Sequence, residues 1–396
     1  MKILFLANRV PYPPYRGDKL KIFNLAKRLK GRHELHLLTF AQTKEDLGYK
    51  EELEKIFKEV HFIYLPKWMS AINCISAIWD SRPLQVLYFR SGRLQELLNK
   101  LLAKHKYDVV HVQHLRMSPY LAARKDIPRI LDMPDAFSLY WERRKMIKRG
   151  FFITLFENLE QKRVLKYEHV IKDYDLSLVC SGEDLAYLEK IHHVDNLRLL
   201  PNGVDMETFS PHDHDYSHNQ TILFTGNMDY APNVDAVVYF IEAILPTIRA
   251  QFPDIQFIIA GQRPVPKVLA LANSHVSVTG FVKDLANTYN SASVVVAPLR
   301  FGAGTQNKVL EAMAMGVPVV CSNIGFAGLG IKNGEGAIMQ TNPGSFANSV
   351  IELLSSEDRR RRVGMEGLRV IKTHFDWDII SLQLESYFNE IVLKRS

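Results

Sequence analysis

A chain of 396 residues exceeds the size of one ordinary core, so at least two domains are expected. Its 47% apolar content is that of a globular protein, and no apolar run approaches the length of a membrane span. The net charge of +7 is uneven: residues 1–200 carry 35 Lys+Arg against 24 Asp+Glu, and residues 201–396 carry 15 against 19. A basic first half suits anionic small substrates or anionic lipid. Nucleic acid is not expected, because zinc-finger spacing and the aromatic signature of RNA binding are both missing. Cys74, Cys180 and Cys321 are far apart and lack metal or redox spacing, which suits a reducing, cytoplasmic setting.

In chain order, Lys2–Ala7 predicts a first strand; the opening MKILFLANRV is apolar but lacks a signal-peptide cleavage site. Lys19–Leu29 follows as a helix, then Leu35–Thr39 as a strand, Glu51–Phe57 as a helix and His61–Leu65 as a strand. Leu94–Lys104 is helical, and Val109–Val112, Arg129–Leu131, Leu176–Val179 and Leu197–Leu199 read as strands, with a helix over Glu157–Tyr167. Such alternation predicts a mainly parallel sheet covered by helices. Turn residues cluster in Leu200–Pro211, where a boundary is expected, giving domains of 1–203 and 204–377. A second series runs through Ile222–Phe224, Val234–Ile248, Ile255–Ala260, Val265–Ala272, Val276–Thr279 and Leu285–Ala292. Helices over Ser345–Leu354, Arg359–Thr373 and Ile379–Val392 close the chain, the last expected to pack back on the first domain. Two doubly wound domains in tandem make the cleft at their strand C-terminal edges the expected site.

The stretch Val294–Val320 carries the chemistry. The apolar run Val294–Val296 leads into a loop with Gly302 and Gly304, then a helix over Asn307–Met315, stopped by Gly316 and Pro318. A strand, a glycine loop and a helix N-terminus converge free N–H groups on one spot, an arrangement that binds phosphate. Lys308 falls in the first helical turn, where a cation is unfavourable unless an anion is near. Glu311 lies three residues on, on the same face. An ammonium for phosphate and a carboxylate for sugar hydroxyls suit a nucleotide diphosphate.

The motifs Pro13–Asp18, Pro201–Asp205 with Phe209-Ser210-Pro211, Thr225–Asp229 with Pro232-Asn233, Gly280–Asp284, and Gly304–Lys308 through Glu311-Ala312 to Pro318–Val320 have a shared order and spacing. On them the chain resembles glycosyltransferases of family 4, with the two-domain α/β architecture called GT-B, and more narrowly the sugar transferases of exopolysaccharide clusters. The resemblance covers nearly the whole chain. It implies transfer of a sugar from a UDP- or GDP-type donor to a glycan or lipid-linked acceptor hydroxyl, with retained anomeric configuration and without a cofactor or metal. The donor is expected mostly on the C-terminal domain and the acceptor on the N-terminal one.

The same resemblance assigns roles. Gly17, after the first strand, would approach the donor, and Asp18 would cap the following helix. Glu311 matches the second glutamate of the family's Glu-x7-Glu motif and would hold the ribose. The first falls at Ala303, so the contact to the donor sugar is missing. The family's Arg/Lys pair after the first strand of the second domain is also absent, since Gly226-Asn227-Met228-Asp229 offers no cation. Lys308 and Arg300, with the N–H groups of Gln306 and Asn307, are the substitutes; Gly226, Met228, Gly304 and Thr305 line the donor. Phe281, Val282 and Asp284 would contact the base, with Gln262 and Arg263 nearby. A histidine at the Val109–Val112 strand edge would point at the reacting sugar; His111 and His114 both qualify, His111 being favoured. Arg16, Asp132 and Asp135 would orient the acceptor, although both aspartates could instead cap a helix. His212, Asp213, His214, Asp215 and His218 fall in a polar linker without ligand spacing, so no metal site is expected there.

Two segments, Lys67–Trp79 and Trp141–Ile153, mix cations with large apolar residues. They suggest peripheral contact with an anionic membrane surface on the cytoplasmic side. Alternatives to the transferase are a non-catalytic glycan- or nucleotide-binding partner on the same fold, and a nucleotide-sugar epimerase.

Overall fold

The computed structural model describes residues 1–15, 17–145, 150–211 and 214–395, apart from the side chain of Asp18. The chain divides into two compact units, Met1–Pro201 with Trp377–Ser396, and Asn202–Asp376.

The first unit holds seven parallel strands: β1 (Lys2–Ala7), β2 (Glu34–Ala41), β3 (Glu59–Tyr64), β4 (Val109–Gln113), β5 (Arg129–Met133), β6 (Leu176–Val179) and β7 (Leu197–Leu199). Their order is β3-β2-β1-β4-β5-β6-β7, so the winding reverses between β1 and β4. Parallel pairing needs helical crossovers, which cover both faces of the sheet. Side-chain alternation on β1 divides accordingly. Leu4 and Leu6 join one core with Leu38, Val110 and Val112, while Ile3 and Phe5 join another with Leu25, Trp377 and Phe388. The final helix, Trp377–Leu393, packs on helix Gly17–Leu29 over that second face.

The second unit repeats the plan with β8 (Thr221–Thr225), β9 (Gln256–Ala260), β10 (Val276–Gly280), β11 (Val294–Ala297), β12 (Val319–Cys321) and β13 (Ala337–Met339), in the order β10-β9-β8-β11-β12-β13. Its reversal lies between β8 and β11. Val294 and Val296 face one core, Val295 and Ala297 the other. The helical stretch Ala231–Gln251 has a mean hydropathy of 1.2, apolar and long enough by composition to cross a membrane, but half of it is buried here. Phe240 stacks on Phe257 of β9 at 4.5 Å, so the stretch is a core helix.

Some expected elements differ. The helix read over Glu51–Phe57 is the shorter Lys50–Glu54, and a further short helix precedes it, Lys44–Gly48, started by a Thr43/Asp46 capping box. Val265–Ala272 shrinks to one turn, Pro266–Leu269. Helices Phe137–Lys145 and Gly182–His192 and strand β13 had no counterpart in the sequence reading.

Candidate active site

The site is built at the winding reversal of the second sheet, where ligands of doubly wound folds bind. Gly226 follows β8, and helix Ala231–Tyr239 comes next. After β11 the loop 298–306 leads into helix Asn307–Ala314. A hydrogen bond joins the two helices: Lys308 Nζ donates to Asn233 Oδ1 at 3.1 Å. Lys308 also reaches Gln306 Oε1 at 3.3 Å and lies 5.3 Å from the centre of the Phe224 ring. Its relative exposure is only 8%.

Both contacts are to neutral amide oxygens. Burial draws the Lys308 ammonium down to about 8, against a smaller upward pull from Glu311. Glu311 turns elsewhere: Tyr289 Oη donates to its Oε2 at 2.8 Å and lies 2.6 Å from Thr225 Oγ1. Burial raises the Glu311 carboxyl, and Tyr289 and Lys308 partly offset this. Gln306, at the N-cap of helix Asn307–Ala314, makes no side-chain cap to its amides. The positive end of that helix therefore coincides with a desolvated ammonium, and both favour an anion.

The glycines matter at two places. Gly304 has φ +72°, the left-handed region that L side chains rarely adopt. A Cβ on Gly226 would stand 2.6 Å from Asn233 Nδ2, displacing the side chain that holds Lys308. Thr305, Gln306 and Asn307 follow in the loop and first turn, with Asn307 Oδ1 accepting from Asn202 Nδ2 at 3.0 Å.

Other expected donor residues need correction. Arg300 gives its guanidinium to Asp235, at 2.8 and 2.5 Å, and stacks on Tyr239, so its charge is already neutralised. Met228 is fully buried, and its side chain belongs to the hydrophobic core. Asp284 caps helix Leu285–Asn290 through Asn287 N at 2.9 Å. Phe281 is exposed and Val282 half-buried beside it. Gln262 bonds Asn227 Oδ1 at 2.8 Å, and Arg263 lies 3.6 Å from Asp229.

The first unit has its own reversal, with Gly17 after β1 and His114 after β4. Gly17 opens the helix, so Asp18 falls inside the first turn, not at the cap. His111 is wholly buried, its ring 4.9 Å from Phe5 and 6.2 Å from Phe388. A central strand covered on both faces turns it under the final helix, so it is a core residue. His114 has φ +78°, and its Nδ1 accepts from Arg116 N at 3.3 Å. Burial, reinforced by Arg116 and Arg9, drives its imidazole well below the ordinary range, so the ring is neutral with its proton on Nε2. Asp132 is 1% exposed and locked to Lys21 Nζ at 2.6 Å, which also donates to Leu200 O at 2.9 Å. Burial raises the Asp132 carboxyl, but Lys21 and His111 outweigh it and hold it below the ordinary value. It is a buried ion pair with its charge already met. Asp135 is half-buried just beyond β5. Arg16, His212 and Asp213 lie outside the described residues.

Sequence reasoning missed Asn233 and Tyr289 as the groups that set Lys308 and Glu311. Asn233 stood in a quoted motif without a role; Tyr289 carried no local signal.

Two family models match: that of glycosyltransferase family 4 over residues 22–208, and that of glycosyl transferases group 1 over residues 219–356. The chain belongs to family 4 of the glycosyltransferases. An uncharacterized 44.6 kDa protein in the cps region of Klebsiella pneumoniae is 22% identical over 95% of this chain and 96% of its own length. Among solved structures, sucrose-phosphate synthase from Thermosynechococcus elongatus aligns with TM-score 0.75, at 15% identity over 100% of both chains. Anabaena Alr3699/HepE in complex with UDP aligns with TM-score 0.70, at 16% identity over 98% of this chain and 100% of that one. This glycosyltransferase thus has the GT-B fold, two parallel α/β sheets of Rossmann type.

Proposed function

We propose that this glycosyltransferase moves a sugar, with retention, from a UDP- or GDP-type donor to a hydroxyl of a glycan or lipid-linked acceptor in surface-polysaccharide assembly. The observation that carries this reading is the buried Lys308 ammonium, held by neutral oxygens at a helix N-terminus. Support comes from HepE, solved with UDP, and from the relative in a cps region.

In this reading the bond between the sugar's anomeric carbon and the diphosphate oxygen breaks while a bond to the acceptor oxygen forms on the same face. The leaving phosphate oxygen takes the acceptor's proton, so no protein base is required. Lys308 and the amides of Gln306 and Asn307 stabilise the charge that develops on the diphosphate, the work a divalent metal does elsewhere. Glu311, oriented by Tyr289, accepts from the ribose hydroxyls. The setting is the cytoplasm, where nucleotide sugars are made.

The test is turnover. UDP- and GDP-sugars are incubated with an acceptor panel, with and without EDTA, and product anomers are read by NMR. Transfer with retention that survives EDTA is expected; inverted product overturns the mechanism. Tight UDP binding without transfer or slow donor hydrolysis would establish a binding protein instead. Ala303, in place of the first motif glutamate, is the residue that favours that second reading.

A further inference from the structure

Helix Phe151–Tyr167 leaves most of its large apolar side chains facing outward, with Val164 buried. Its protein-facing side buries two carboxylates: Glu157 accepts from Arg144 Nε at 2.6 Å, and Glu160 accepts from Leu84 N at 2.7 Å. Burial raises the Glu160 carboxyl. Its outer side presents Phe152, Phe156 and Leu159, with Phe152 83% exposed. Lys162 and Lys166 continue the same side at helical spacing. A helix packed on a core in water normally turns its apolar side inward.

A neighbouring stretch does the same. Helix Lys67–Asn73 and the turn Cys74–Ile78 leave Trp68, Ile78 and Trp79 exposed, Trp79 by 79%. Arg163 Nη2 donates to Ala77 O at 2.7 Å, so the two stretches are adjacent on the first unit. Together they form the kind of apolar patch that marks an interaction surface. Cations outnumber acids beside it. Residues 67–79 contain one lysine and no acid, and the described residues 141–145 and 150–167 contain six Lys+Arg against three acids. Two of those acids are the buried Glu157 and Glu160. Large apolar side chains set among cations match an anionic lipid surface, which receives both.

We propose that this face seats the protein on an anionic bilayer, with helix Phe151–Tyr167 lying in the headgroup layer and Trp68 and Trp79 beside it. The proposal stands independently of the sugar-transfer reading. Sedimentation with phosphatidylglycerol vesicles at low salt tests it. Binding is expected there, with a blue-shifted tryptophan emission, and about tenfold or greater loss on phosphatidylcholine vesicles or at high salt. The double variant Phe152→Ser/Phe156→Ser, and separately Trp79→Ser, should each weaken partitioning by about tenfold. Both should keep the wild-type melting temperature, because these side chains already face water. Wild-type protein left in the supernatant with phosphatidylglycerol at low salt overturns the proposal. So do serine variants that bind like the wild type, or a stable dimer by light scattering in which Trp68 and Trp79 are already shielded from quencher.

Discussion

Among the described residues two lysines are buried, one in each unit, and they differ in what meets the charge. Lys21 touches a carboxylate and a carbonyl, Asp132 and Leu200, and its site is complete. Lys308 meets two neutral amide oxygens, while the nearby carboxylate of Glu311 bonds Tyr289 instead. A buried charge with its counterion is part of the scaffold; a buried charge without one is costly, and it is kept where an incoming anion completes it.

The sharpest way to break this contrast is to remove each ammonium. Lys21→Met should destabilise the protein by about 3–5 kcal/mol, because Asp132 is left buried without its ammonium, with only His111 Nε2 beside it at 3.3 Å; thermal unfolding checks it, with Lys21→Met/Asp132→Leu restoring most of the loss. Lys308→Met should leave the melting temperature unchanged or higher, yet weaken UDP binding by about 2–3 kcal/mol, the worth of a charge-assisted contact. If Lys308→Met unfolds the protein as Lys21→Met does, the distinction is void. Tyr289→Phe should weaken UDP by about 1 kcal/mol, through loss of the bond that orients Glu311; calorimetry reads it. Arg300→Ala should change UDP affinity by less than about twofold, since its exposed pair with Asp235 is already neutral overall. A large loss there would restore Arg300 to the diphosphate.

The same contrast explains what the sequence revealed. Buried parallel strands write themselves as apolar runs, so β1 and β6 were legible to the residue. Lys308 and Glu311 were legible because helical spacing is local. Arg300 and Asp132 were misjudged because the partners that neutralise them lie 65 and 111 residues away. His111 looked like a strand-edge residue until the final helix, more than 260 residues later, covered it. Helix Phe151–Tyr167 was read only from Glu157 onward, since its apolar side faces outward and the usual pattern fails.

The most direct measurement is proton uptake on UDP binding, taken by calorimetry at pH 8.5 in buffers of different ionisation enthalpy. With Lys308 at about 8, roughly three-quarters of the unliganded protein carries it neutral at that pH. A diphosphate raises that value, so affinity is full below pH 8 and falls as pH climbs towards the value in the complex. Uptake of more than about half a proton is expected in the wild type and none in Lys308→Met. No uptake in the wild type, or equal uptake in both, would contradict the assignment of Lys308 to the diphosphate.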